Sequence, residues 1–238
     1  MRQISIVLLL CLLSSVRAQT LIHEESDTTI MSEYNDGRLW AYRQIGDIIV
    51  GMTNYKEKDS YGRYYQIVIF IKNLGDKSVT FDPDKVSSSL YTKRGDTLDL
   101  QVYTYDEYMK KVRTAQTWSM ALLGFSAGWN AGRAGRQTTY TTTYGVGGMP
   151  YTQVHTTYNH AAAATAQLAA TTQIMTLGKM MEDERNTRSQ GYLRITTIHP
   201  DEGIIGYMNI KRRKGVSMTV NIPVGGQVYS FDWDLVKK

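Results

Sequence analysis

Cysteine is almost absent from this chain. The only one, Cys11, lies within an apolar run near the amino terminus. If that run is removed as a signal peptide, the mature chain has no thiol at all. This excludes disulfide bridges, zinc-thiolate sites and cysteine catalysis together, so the fold must be held by a packed core.

The amino terminus has the pattern of a secretory signal peptide. Arg2 precedes an apolar run over residues 4–13, and Val16 and Ala18 are small residues at the −3 and −1 positions of a cleavage site. We expect cleavage after Ala18, which makes residues 1–18 the signal and residues 19–37 an amino-terminal extension. This predicts export across the inner membrane to the periplasm, the outer envelope or the exterior.

Charge is missing from a long central block. Residues 137–178 contain no Asp, Glu, Lys or Arg, and neither does the segment from Thr114 to Gly132, in a chain that is 21% charged. The net charge of +5 is mild, and it falls to about +3 once Arg2 and Arg17 are removed. Since nucleic-acid binding normally requires a concentrated basic surface, we expect no nucleic-acid partner.

Outside the central block the chain has the pattern of short β-strands. Tyr64 to Asn73 is rich in β-branched and aromatic residues, which predicts a central strand buried on both faces. Turn residues recur every 8 to 12 positions, a spacing typical of an antiparallel sandwich. The predicted sandwich halves are residues 38–103 and 190–238. The predicted strands are Leu39–Tyr42, Ile45–Thr53, Tyr64–Asn73, Ser78–Phe81, Val86–Thr92, Leu98–Tyr103, Tyr192–Ile198, Ile204–Ile210, Met218–Pro223 and Gln227–Trp233.

Two segments carry a resemblance to a known class of domain. YYQIVIFIKNLGDKSVTFDP, residues 64–83, resembles the strand-turn-strand of secreted immunoglobulin-like cell-envelope modules. GYLRITTIHPDEGIIGYMNI, residues 191–210, is similar to their paired closing strands. The whole pattern also looks like secreted proteins of Bacteroidota-type bacteria. The resemblance implies an immunoglobulin-like β-sandwich in the cell envelope, a scaffold whose function depends on its site.

The central block predicts a helical hairpin inserted into this sandwich, over residues 104–189. Tyr105 to Lys111 and then Thr114 to Asn130 form the first helix, and the second begins at Asn159 and continues to about Arg185. Trp118, Leu122, Phe125 and Trp129 follow helical spacing, which predicts a packed face.

Small residues repeat at four-residue intervals in both helices. Three glycines form a GxxxGxxxG row, which predicts close packing of the two helices. The same surface could serve self-association or membrane insertion, and the many Thr and Gln side chains disfavour insertion. The helix-packing or assembly residues are Gly124, Gly128, Gly132, Ala162, Ala166 and Ala170.

A Thr/Tyr-rich tract, residues 137–158, connects the two helices. Its β-forming residues and central glycines permit a protruding hairpin, and its length is equally compatible with a disordered loop. Tyrosine covers contact area at low entropic cost, so the tract is a candidate partner-binding tip. The candidate contact residues are Tyr140, Tyr144, Tyr151 and Tyr158.

The sequence contains one match to an enzyme motif. Residues 124–128 read GFSAG and match the GxSxG of hydrolases, with Asp183 and His199 following in the appropriate order. We interpret Ser126 as part of the glycine row, because the flanking pattern is helical and no βαβ units are evident. We assign no catalytic residue, metal ligand or cofactor, since the histidines and the DxD pairs lack companion ligands.

The densest basic feature is the run Lys211, Arg212, Arg213 and Lys214. Its position between two predicted strands indicates a solvated turn, and contact with an anionic surface is the alternative.

The sequence therefore predicts a mainly β protein with an α insertion, an antiparallel immunoglobulin-like β-sandwich interrupted by a helical hairpin. The functional hypothesis is a non-enzymatic exported protein that binds a protein partner or self-assembles through the hairpin. A serine hydrolase and a membrane-inserting hairpin are the alternatives.

Overall fold

The structure is a computed structural model that describes residues 20–22, 30–35, 37–144 and 150–235. Its helices are α1 (Tyr105–Ala134) and α2 (His160–Ser189). Its strands are β1 (Thr20–Ile22), β2 (Ile30–Asn35), β3 (Arg38–Ile45), β4 (Ile48–Asp59), β5 (Gly62–Asn73), β6 (Val79–Phe81), β7 (Ser87–Tyr91), β8 (Thr97–Leu100), β9 (Val102–Tyr103), β10 (Arg136–Tyr144), β11 (Pro150–Tyr158), β12 (Thr196–Ile198), β13 (Gly203–Lys211), β14 (Ser217–Val224) and β15 (Gln227–Asp234).

The strands outside the helical segment form two antiparallel sheets. One has the order β2-β3-β4-β5-β13-β9, and the other has the order β1-β15-β14-β6-β12, with β7 added to β14 and β8 added to β7. The prediction of a mainly antiparallel β protein with a helical insertion is confirmed. The two sheets form a sandwich-like arrangement, and the immunoglobulin-like topology stays a prediction.

A single apolar core lies between the two sheets. Alternate residues of β14, from Met218 to Val224, are buried and belong to the same cluster as the buried residues of β4 and β5. The Tyr229 hydroxyl donates across the core to the backbone carbonyls of Ile45 at 3.2 Å and Ile48 at 3.3 Å. Burial raises the pKa of Tyr229 to about 12. Its hydroxyl therefore stays protonated and joins the two sheets.

The central strand β5 is buried on one face only, so the prediction of burial on both faces is wrong. Ile67, Ile69 and Ile71 are fully buried, whereas the residues between them, such as Val68 and Phe70, are half-exposed. A run of apolar residues can thus form an antiparallel strand with one buried face and one face exposed to solvent. The composition of the run alone does not show which face is exposed.

Strand β4 continues to Asp59, six residues beyond its predicted end at Thr53. Asp59 pairs with Gly62 of β5, and its carboxylate accepts the N–H groups of Tyr61 and Gly62, each at 2.8 Å. The polar composition of residues 54–59 concealed this hairpin, since charged residues are unfavourable in strands on average.

The amino-terminal extension contributes strands to both sheets. β1 pairs with β15, and β2 pairs with β3 along Ile30 to Asn35. The predicted signal peptide, residues 1–18, lies outside the described residues.

The segment from Tyr105 to Ser189, here called the arm, connects β9 to the carboxy-terminal strands. α1 begins with a capping box, in which the Thr104 hydroxyl accepts the Glu107 N–H at 3.3 Å and Glu107 accepts the Thr104 N–H at 3.1 Å. The two predicted pieces of α1 are one continuous helix of 30 residues, about 45 Å long. Asn159 caps α2 as predicted, and α2 ends at Ser189 instead of near Arg185.

Candidate functional site: the helical arm

The first turns of α1 anchor the arm in the core of the sandwich. Tyr108, Met109 and Val112 are buried against it. The Tyr108 ring contacts Tyr64 edge-on at a centroid distance of 5.8 Å and stacks on Tyr192 at 5.3 Å. This aromatic contact holds the start of α1 between strand β5 and the segment that follows α2.

A buried carboxylate joins both helices of the arm to the sandwich. One oxygen of Asp59 accepts the Tyr108 hydroxyl at 3.0 Å and the Arg188 guanidinium at 2.7 Å. The Asp59 side chain is only 8% exposed, so water does not replace these partners. Burial alone would lower the pKa of Arg188, but the neighbouring Tyr108, Glu184 and Asp59 raise it, so the guanidinium stays charged.

Glu184 extends this network along α2. Its carboxylate accepts the Tyr61 hydroxyl at 2.6 Å and the Arg188 Nε at 3.0 Å. Burial alone would raise the pKa of Glu184, but these hydrogen bonds and the Arg188 charge hold it below its ordinary value. The buried Gln116 side chain donates to the Met181 carbonyl at 3.0 Å and ties the two helices together.

We refer to Asp59, Tyr61, Tyr108, Gln116, Glu184 and Arg188 as the base network. No pattern in the sequence predicted this network. The signal available was the i, i+4 spacing of Glu184 and Arg188, which is typical of an ion pair on a helix. The contribution of Asp59 depends on the fold, because the residue lies 129 positions from Arg188.

Beyond the base network, the two helices contact each other along small-residue rows. Ala162, Ala166 and Ala170 are partly buried positions of α2, and their role in helix packing or assembly stays a prediction. The partly buried positions of α1 are Met120, Leu123, Gly124, Ala127 and Ala131. The hairpin thus packs on itself through alanine as much as through glycine.

The glycine row does not mark the closest approach of the helices, which differs from the prediction. A Cβ added at Gly124 or Gly128 would meet no atom within 4 Å, and Gly132 lies in the last turn of α1. The close approach is at Gly135, where a Cβ would lie 2.7 Å from the Tyr158 ring and 3.0 Å from Ala163. Gly124 and Gly128 therefore line a shallow groove, and the tight contact is at Gly135, just after the last residue of α1.

The aromatic stripe of α1 is exposed, so the prediction of a packed face is wrong. Trp118, Leu122, Phe125 and Trp129 are 68%, 67%, 74% and 62% exposed. They lie on the face of α1 opposite the row that contacts α2, and the Phe125 and Trp129 rings stack at 6.5 Å. We call these four residues the aromatic face.

The outer surface of α2 is also uncovered. Leu168, Met175 and Met180 are each more than 60% exposed, and throughout its described length α2 has no fully buried residue. Among the helices described, none is long and apolar enough to cross a membrane.

The Thr/Tyr tract forms a two-stranded antiparallel ribbon, the ordered one of the two predicted alternatives. β10 and β11 pair along all nine residues, from Arg136 opposite Tyr158 to Tyr144 opposite Pro150. Tyr140 and Tyr158 are exposed, and Tyr144 and Tyr151 lie within the strands. Of the central GVGGMP segment predicted as the turn, residues 145–150, the structure describes only Pro150, which begins β11.

Ser126 of the GxSxG motif is a helical residue. The chain before it is helical from Tyr105, and its hydroxyl donates to the Leu123 carbonyl at 2.9 Å. A nucleophile elbow needs a strand, a sharp turn and a helix around the serine. His199 interacts with Ser78 at 2.9 Å, and Asp183 lies on α2. The motif thus matches the GxSxG consensus of hydrolases in sequence, but its local geometry is that of a continuous helix.

The basic run begins at Lys211, the last residue of β13, and continues into the connection to β14. Lys211, Arg212, Arg213 and Lys214 all have exposed side chains. Its backbone is fixed, because the Arg212 N–H donates to the Arg63 carbonyl at 3.1 Å and Tyr65 donates to the Arg213 carbonyl at 2.7 Å. The contact with an anionic surface stays a prediction.

Comparison with known proteins adds no assignment. No family model, curated protein or solved structure matches this chain.

Proposed function

We propose that this is an exported, non-enzymatic cell-envelope protein that self-assembles through its arm. The observation that carries the proposal is the aromatic face of α1, four large apolar side chains exposed on a helix whose opposite side already contacts α2. Export is supported by the signal-peptide pattern of residues 1–18.

The aromatic face is large enough to drive association. With about 150–250 Å² for each large side chain, exposures of 62–74% leave roughly 400–700 Å² of apolar surface on α1. The largest patch on a typical monomer is about 300–600 Å², so the aromatic face lies in the upper part of that range or above it. A stable interface buries about 800 Å² per partner, which the intervening Ser, Thr and Ala residues of the same helix can complete.

The absence of charge favours a second copy of the chain as the occupant. From Thr114 to Gly132 there is no charged residue, so two copies of this face can meet without like-charge repulsion. In a twofold interface each patch contacts the same patch on the other copy, which requires a self-complementary surface. Stacked Phe125 and Trp129 rings provide a rigid aromatic centre for such a contact.

The test is the association state of the mature chain, residues 19–238, measured by sedimentation velocity over a range of concentrations. We expect reversible association that weakens at least about tenfold in the double variant F125S/W129S, because about 300 Å² of apolar surface is lost from each copy. The matched control is L168S/M175S, which removes exposed apolar residues from the outer surface of α2 and should leave association unchanged.

Four results would overturn the proposal. The first is a monomeric wild-type chain at all concentrations, and the second is equal weakening by the two double variants. The third is a monomer that floats with liposomes through the aromatic face, which would favour membrane insertion. Covalent labelling by a fluorophosphonate probe that is lost in S126A would instead favour the hydrolase.

A further inference from the structure

The ribbon at the end of the arm has two open edges. β10 and β11 form a sheet of their own, and among the described strands neither pairs with any other. In an antiparallel pair, alternate N–H and C=O groups of each strand point away from the partner strand. Each side of the ribbon therefore presents a row of backbone groups that a further strand could pair with.

The edges of the two large sheets are protected against such pairing. β1, β9 and β12 have only two or three residues, β2 carries Glu33, and β8 is a four-residue strand that carries Asp99. Short strands and charged side chains are the usual ways in which proteins block edge-to-edge association.

The ribbon lacks this protection. After Arg136, neither strand contains a charged residue, and both are rich in threonine and tyrosine, which favour strands. β11 begins with Pro150, whereas β10 has no proline to interrupt a new ladder. A two-stranded ribbon is also marginally stable alone and gains from further strands. These features single out β10 as the edge open to pairing.

We infer that β10 pairs with β10 of a second copy of the chain, antiparallel and centred on Tyr140, to form a four-stranded sheet. In this register Thr138 lies opposite Thr142 of the second copy, and Arg136 lies opposite Tyr144 of the second copy. The only charged residue of the strand thus meets an uncharged one. Threonine and aromatic pairs across such a ladder are favourable.

This surface is separate from the aromatic face and does not depend on it. With both contacts present, each copy has two twofold interfaces, and copies can join into a chain. With either contact removed, association stops at a dimer.

The experiment uses the mature chain carrying F125S/W129S, which isolates the ribbon contact. We expect this chain to dimerise, and T138K/T142K or T138E/T142E added to it to weaken dimerisation by about tenfold or more, since like charges then face each other in two pairs. Mixing the lysine and glutamate variants should restore a heterodimer, measured by native mass spectrometry. That recovery also shows that the variant ribbons still fold.

The matched control is V154K/T156K, which places two lysines at exposed positions of β11 and should leave the dimer intact. The inference is overturned if F125S/W129S is already monomeric, if mixing restores nothing, or if the β11 control weakens the dimer as strongly. The aromatic face is tested separately in T138K/T142K alone, which removes the ribbon contact: this chain should still dimerise, and F125S/W129S added to it should abolish that dimer.

Discussion

At the residue scale, the attachment of the arm depends on a few polar side chains that are buried together. Asp59 accepts hydrogen bonds from β-turn amides on one oxygen and from Tyr108 and Arg188 on the other. Removing one partner of a buried charge pair leaves the other charge without compensation, and this usually costs more than the pair contributes.

We predict that R188M lowers the free energy of unfolding by about 2–4 kcal/mol, because it leaves Asp59 buried and unpaired by a cation. The comparison is K85M, which removes the exposed pair of Lys85 with Asp82 at 3.4 Å and should change stability by less than about 0.5 kcal/mol. Urea denaturation of both variants measures the difference. Equal effects would mean that the base network contributes no more than a surface ion pair.

At this scale the local sequence predicts some of the polar contacts but not others. The Thr104 and Asn159 caps follow from short-range rules, and Asn159 was predicted. The partners of Asp59 could not be predicted, because Tyr108 and Arg188 lie 49 and 129 residues away and meet it only through the folded sheet.

At the element scale, spacing identified both helices but not which of their faces would be covered. A GxxxG row favours close helix contact in general. Here the glycine with the tightest surroundings is Gly135, the C-cap of α1, against which the Tyr158 ring of the ribbon packs, whereas Gly128 is exposed.

We predict opposite effects of alanine at these two glycines. G128A should stabilise the protein by up to about 1 kcal/mol, because alanine is the better helix former and its Cβ meets nothing within 4 Å. G135A should destabilise it by about 1–3 kcal/mol, because the new Cβ would lie 2.7 Å from Tyr158. Thermal unfolding measures both. A destabilising G128A would restore the glycine row as the packing surface.

At the scale of the whole molecule, buried apolar contacts are concentrated in the sandwich and are few in the outer part of the arm. Within the described part of the chain, the buried apolar residues form one cluster between the two sheets and reach the arm only through the first turns of α1. Beyond Gln116, the arm is held by the contact between its two helices and by the ribbon. Local opening is easiest where few apolar groups are buried.

We predict a corresponding gradient in amide hydrogen exchange at a dilution where the chain is monomeric. Amides of β4, β5 and β14 should exchange near the rate of global unfolding, and those of β10 and β11 faster by about 100-fold or more. Mass spectrometry of peptides from each segment measures the rates. Uniform protection across the sandwich and ribbon would contradict this division.

The sequence by itself determined the antiparallel β class, the position of the helical hairpin and the absence of charge from residues 114–132 and 137–178. These depend on periodicity and composition, which act over neighbouring residues. Tertiary structure alone decided that the aromatic stripe faces solvent, that one face of β5 is exposed to solvent, and that Asp59 joins the arm to the sandwich. Each depends on which surfaces meet when distant segments pack, and a pattern along one helix or strand shows that a face is apolar without showing what covers it.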